Sequence, residues 1–173
     1  MPTDPNHEIR EQQQKQQQEP SDGATVVRDG AVIAVLWCGM PHASDHAALA
    51  RELAAIEPGA RSAVLLVSTG SMGMPTEEQR VVMRALRGLT NGRDLALFAV
   101  LLAKGIAATV LRALLPRNGE LKLPDGSGRS MHVYKTAEAA LEAMDQSGFD
   151  SPRIRDAVLA WSAASRGRRR TVS

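Results

Sequence analysis

Aromatic residues are almost missing from this chain: two Trp, two Phe and one Tyr among 173 residues. Its core must therefore be packed by Ala, Val, Leu, Ile and Met, and 43% hydrophobic against 23% charged residues suffices for an ordinary globular interior. Cysteine is scarcer still. Cys38 is the only one, which excludes an intramolecular disulfide and fits a reducing compartment. The first 22 residues lack the apolar stretch of about 7–15 residues that a secretory signal requires, so the cytoplasm is the expected location.

A strong excess of one charge is also absent. The formal net charge is +2, and removing Arg166, Arg168, Arg169 and Arg170 leaves −2 for the rest, so the body of the chain is not a basic nucleic-acid reader. The window Leu95–Leu115 is nearly all apolar and close to the length of about 20 residues that spans a bilayer. Lys104 near its middle costs about 2.5–3.5 kcal/mol on insertion, which favours a buried strand followed by a buried helix over membrane insertion.

What is present is room for one core, since a domain of roughly 150 residues buries about two thirds of its unfolded surface. Residues 1–23 are a Gln-rich tail with nothing to bury, and 166–173 are a basic tail. Between them the pattern is regular. Asp29-Gly30 separates two β-prone runs, Thr25–Val27 and Ala31–Trp37, and predicts a hairpin. Ser44 is expected to cap a helix carrying Leu49, Leu53 and Ile56, closed by Pro58-Gly59. Ala63–Val67 reads as a strand buried on both faces. Thr76 and Gln79 form a capping-box pattern ahead of Val82, Ala85, Leu86 and Leu89, with Asn91-Gly92 as the stop.

A second buried strand, Leu95–Val100, leads into a helix with Ile106, Val110, Leu111 and Leu114 that ends before Pro116. Arg117–Ser130 reads as a surface loop turning at Pro124-Asp125-Gly126. Met131–Tyr134 is a short strand, Thr136 caps a helix with Ala137, Ala140, Leu141 and Met144, and Ser151-Pro152 opens a last helix with Ile154, Val158 and Trp161. The order ββαβαβαβα predicts an α/β fold: a single mixed sheet of about five strands over residues 24–146, plus a C-terminal helix at 147–165.

Catalytic groups are hard to assemble from these residues. Cys38, His42 and His46 recur at spacings of four, without the tight first pair and second pair of zinc sites, so no metal is expected. Asp45, Glu52, Glu77, Glu78, Glu138 and Glu142 fall at exposed helical positions or first turns, where they favour the helix dipole. Ser68-Thr69-Gly70-Ser71-Met72-Gly73 leaves the C-terminal end of a parallel strand, where α/β folds gather functional groups. It lacks the glycine spacing and lysine of a phosphate-binding loop. The chain reads as a non-enzyme without cofactor.

Residues 24–146 resemble the STAS domain superfamily of sulfate transporters and anti-sigma factor antagonists, in its stand-alone bacterial form. The likeness rests on element order, on Ala63–Ser68 with the following loop and helix, on Leu95–Leu115, and on Val133-Tyr134-Lys135-Thr136-Ala137-Glu138-Ala139-Ala140-Leu141. The resemblance implies helices mostly on one side of a mixed sheet, no cofactor, and regulation through contact with another protein such as a kinase or an anti-sigma factor. Ser68-Thr69-Gly70 matches the family's Asp-Ser-Ser/Thr-Gly segment, with Val67 in the aspartate position and Ser71–Pro75 delaying the helix. It makes Ser68, Thr69 and Ser71 candidate phosphorylation sites, and the adjoining helix, with Thr76, Glu77, Arg80 and Arg84, the expected interaction surface. The alternative expectation is a small-molecule or lipid-binding domain with a pocket near Cys38 and helix 106–115.

Overall fold

The computed structural model describes residues 24–89, 93–114, 119–122 and 130–167. The Gln-rich tail, Asn91-Gly92, Pro116, the Pro124-Asp125-Gly126 turn and Arg168–Arg170 lie outside the described residues. The strands are β1 (Thr25–Asp29), β2 (Val32–Cys38), β3 (Ser62–Thr69), β4 (Leu95–Leu101), β5 (Glu120–Lys122) and β6 (Ser130–Tyr134). The helices are α1 (Ala43–Ala54), α2 (Glu77–Gly88), α3 (Ile106–Leu114), α4 (Ala137–Gln146) and α5 (Pro152–Gly167). They build the expected α/β architecture: one mixed sheet, in the order β1-β2-β3-β4-β6-β5, with a C-terminal helix. β2, β3, β4 and β6 are parallel, and β1 and β5 are antiparallel edges. No described helix is long and apolar enough to cross a membrane.

The hairpin forms where Asp29-Gly30 predicts it, with Asp29 opposite Val32 and Gly30 at φ +56°, a backbone region open to glycine. Six strands form rather than about five. The additional one, β5, lies in the stretch read as a loop, where Glu120-Leu121-Lys122 offers a single apolar side chain to any pattern search. It pairs with β6, and the Val133 amide donates to the Gly119 carbonyl at 2.8 Å.

The helices cover both faces of the sheet rather than mainly one. In β3, side chains alternate: Ala63, Leu65 and Val67 join Phe98, Ala140, Leu141, Met144, Ile154 and Val158 on one side, while Val64 joins Ile33, Val35, Leu49, Leu53 and Leu97 on the other. Connectivity explains the division. β2, β3 and β4 advance in one direction across the sheet, so right-handed crossovers lay α1 and α2 on the same face. After β6 the chain turns back, and α4 and α5 return along the opposite face as far as β1 and β2. The apolar stripe of α5 is thus covered by the domain itself. Ser151 caps α5 as expected, its Oγ accepting from the Ile154 amide at 3.2 Å and donating to the Asp29 carboxylate at 2.6 Å.

Helix α1 begins two residues earlier than the sequence suggests. His42, not Ser44, is its N-cap, and Asp45 sits at the third helical position with its carboxylate accepting from the His42 amide at 2.8 Å and the Ala24 amide at 2.7 Å. Asp45 is consequently buried rather than exposed, held by two charge-assisted hydrogen bonds that tie the start of β1 to α1. Glu52, further along α1, accepts from Arg28 Nε of β1 at 3.1 Å and from Arg51 Nε at 3.3 Å.

These contacts, Arg28 first and then Arg51, hold the Glu52 carboxyl below the usual glutamate range. A depressed folded-state pKa contributes stability above the unfolded value of about 4.3, and that contribution disappears as pH falls through the folded value. In an NMR pH titration Glu52 is expected to have a midpoint below that of a free glutamate, and Arg28→Met to move the midpoint upward. An unshifted midpoint in the wild type rules the pairing out.

Candidate functional site

The candidate residues gather at the C-terminal rim of the parallel strands, where loops Gly39–His42, Gly70–Thr76 and Leu102–Gly105 emerge side by side. The segment after β3 is bound as tightly as a strand. Leu102 donates its amide to Ser68 O at 2.8 Å, Lys104 to Gly70 O at 2.9 Å, and Met72 to Lys104 O at 2.7 Å, so the β3–β4 pairing continues past both strand ends. On the other side the Gly39 amide donates to Thr69 O at 3.0 Å. Two glycines permit this closeness. A Cβ on Gly105, at φ +101°, would lie 2.5 Å from Met72 O, and one on Gly70, at φ +76°, 3.0 Å from Cys38 Sγ.

The three candidate hydroxyls are treated differently by this geometry. Thr69 is 1% exposed and its Oγ1 donates to Trp37 O at 2.9 Å, a structural bond between β3 and β2. Ser68 is half-buried and its Oγ donates toward Met72 Sδ at 3.3 Å. Ser71 is exposed, bridged through its backbone to Lys104. Of the three, Ser71 is the one that presents itself to solvent.

Thr76 and Gln79 form the reciprocal capping box that their spacing predicts: the Thr76 amide donates to Gln79 Oε1 at 3.0 Å, and the Gln79 amide to Thr76 Oγ1 at 3.2 Å. Within the first turn, Glu77 takes both cations, Arg80 at 3.3 Å and Arg84 at 3.2 Å. These exposed pairs fix side-chain positions more than they stabilise the fold. Beside them lies Val81, 52% exposed, which sequence reasoning missed. A signal was available, because Val81 and Val82 stand about 100° apart on the helix and cannot both face the core. Val82 is the buried one.

The ground between Cys38 and α3, where a ligand pocket is the alternative expectation, is occupied by Met40 and Met72 packed against Leu101, Ala103, Ala107 and Ala108. Cys38 is half-buried, His42 is the exposed N-cap of α1, and among the described residues no three metal-ligating side chains come together. Helix α3 departs most from its expected burial. Ala108 is buried, whereas Ile106 is 67% and Val110 49% exposed, so these two aliphatics face outward and the small residue inward; the side chains of Leu111 and Leu114 lie outside the described residues. Arg112 folds back from α3 to donate to Leu101 O at 3.0 Å and to Ala103 O, locking the helix onto the loop that precedes it. Met74, in the loop before α2, is a further large apolar side chain at 66% exposure.

The rim is closed on the inside by backbone bonds and methionine packing, and on the outside it exposes Met74 and Ile106 beside polar His42, Ser71, Thr76 and Lys104. In comparisons with known proteins the chain matches no family model, no curated protein sequence and no solved structure.

Proposed function

We propose that this protein is a non-catalytic regulatory module that binds another protein through the 68–75 loop and the outer face of α2. The observation that carries this reading is Val81, an exposed aliphatic side chain on a helix where Arg80 and Arg84 are both paired with Glu77. An apolar centre within a polar, charged border is the anatomy of a protein-binding patch. The capping box at Thr76 and Gln79 and the tethered loop hold that patch in one orientation, which lowers the ordering cost of association. The partner expected from the STAS resemblance is a signalling protein such as a kinase or an anti-sigma factor, and Ser71 is the site where a phosphate would place charge beside the patch.

Affinity capture from the source organism with full-length protein tests the reading. Val81→Asp and Arg80→Glu, both exposed substitutions that leave the circular dichroism spectrum unchanged, are expected to reduce recovery of the partner about tenfold or more, since a charge in the apolar centre costs more than 1.4 kcal/mol. Equal recovery by wild type and both variants overturns the α2 surface. Thr69→Glu is not a usable phosphate mimic here, because it puts a carboxylate into a buried position.

A further inference from the structure

Asp45 is the one buried carboxylate among the described residues, at 2% exposure, and backbone engages both of its oxygens. Oδ1 accepts from the Ala24 amide at 2.7 Å and Oδ2 from the His42 amide at 2.8 Å. Both donors are neutral. Among the described residues no side-chain cation pairs with Asp45, so its charge rests on the two amides and on the N-terminal end of α1. A carboxylate taken out of water is ordinarily paired with a cation. The atom placed to supply one is the Ala24 nitrogen. Within a chain it is an uncharged amide, whereas at a chain terminus it is an ammonium. Its 2.7 Å contact is shorter than the usual amide bond of about 2.9–3.0 Å and falls in the range of about 2.7–2.9 Å for a charged nitrogen on a carboxylate.

Ala24 immediately precedes β1, whose first residue Thr25 lies opposite Leu36, and the sequence ahead of it, Ser21-Asp22-Gly23, has the small and polar residues at which proteases cut readily. We infer that the chain is processed between Gly23 and Ala24, and that Asp45 is the receptor for the ammonium so released. The reaction is hydrolysis by an endoprotease that accepts Gly before the scissile bond and Ala after it. The oxygen of one water goes to the Gly23 carbonyl, which leaves as a carboxylate, and both protons of that water go to the Ala24 nitrogen, which becomes an ammonium. Seated on Asp45 Oδ1, this ammonium turns a bond between a charge and an amide into an ion pair that fastens β1 to α1. A terminus one residue longer moves the ammonium about 3.8 Å along the chain and off the carboxylate, so the site selects one N-terminus. The inference does not depend on the α2 surface.

Intact mass and N-terminal sequencing of the protein taken from its source organism test the processing. A chain beginning at Ala24 is expected, and one that retains residues 1–23 or begins elsewhere overturns the inference. The ion pair is tested in the full-length chain with residues 18–23 replaced by the recognition sequence of a site-specific protease that cuts before Ala24, folded intact and then cut. Cutting is expected to raise the thermal midpoint by about 3 °C or more. A control cut that leaves Gly23 as the first residue removes the tail without seating the ammonium, and is expected to give no such rise. In Asp45→Asn the rise on cutting before Ala24 is expected to vanish, and should that variant not fold, the comparison of the two cut chains decides. Equal midpoints for the two cut chains, or a rise that survives Asp45→Asn, overturn the inference.

Discussion

Phe98→Ala is expected to lower the unfolding free energy by about 3–5 kcal/mol, the range for deleting a buried ring. Phe98 is buried in the middle of β4, and its ring lies 6.4 Å from both Tyr134 and Phe149 and 6.3 Å from His132. It therefore joins β4 to β6 and to the α4–α5 turn. In a chain with so few rings the aliphatic neighbours Leu65, Leu141 and Ile154 surround the space it fills, and being packed themselves they cannot collapse far into the cavity. The change is read by urea denaturation as a lower midpoint at unchanged slope. Phe98→Leu, which leaves a smaller cavity, is expected to cost less. A Phe98→Ala loss below about 1 kcal/mol contradicts the packing described, because it lies outside the range for a filled core site.

Gly105→Ala is expected to cost about 2–5 kcal/mol, from two sources that a control separates. A non-glycine residue at positive φ costs about 1–2 kcal/mol, and forcing a methyl group into occupied space about 1–3 kcal/mol more. At Gly105 both apply, because the added Cβ would lie 2.5 Å from Met72 O, a backbone atom with no side-chain freedom to yield. At Gly30 only the first applies, since φ is +56° and nothing lies within 4 Å of the added Cβ. The difference between Gly105→Ala and Gly30→Ala thus measures the close approach of the 70–75 loop to the start of α3. Hydrogen exchange is expected to accelerate at the Met72 and Lys104 amides in Gly105→Ala and not in Gly30→Ala. Equal costs at the two glycines, with no change in exchange, show that the loops do not meet in this way.

Much of the fold is legible residue by residue because its determinants are local. The hairpin at Asp29-Gly30, the capping box of Thr76 and Gln79 and the caps of Thr136 and Ser151 are decided within four positions of chain, by hydrogen-bonding groups that have few other local uses. The continuous apolar runs of β3 and β4 carry one piece of tertiary information, burial on two faces, since a strand with one wet face would alternate. The misplaced cap of α1 shows the limit of this reading. By residue type Ser44 is the better cap, and His42 takes the position because Asp45, three positions on, accepts both the His42 amide and the amide of Ala24, which precedes β1 and is distant in sequence.

The candidate site was legible in position and not in state. Its place at the end of β3 follows from element order alone, yet nothing local distinguishes buried Thr69 from exposed Ser71 two residues later, because the difference is made by Trp37 O on the neighbouring strand. Strand β5 escaped notice for a similar reason: its pairing is offered by the edge of β6 and not by its own three residues.

The sequence by itself determined which segments become strands and helices, and that one sheet must unite them, because periodicity and capping chemistry act over a few residues. Only the tertiary structure decided which faces of those elements stay uncovered. Return of the chain after β6 places α4 and α5 on the second face of the sheet, and α3 remains on the rim with Ile106 and Val110 outside. Periodicity marks an apolar stripe on a helix, and only the arrangement of the other elements shows which of its residues the described part of the domain leaves exposed.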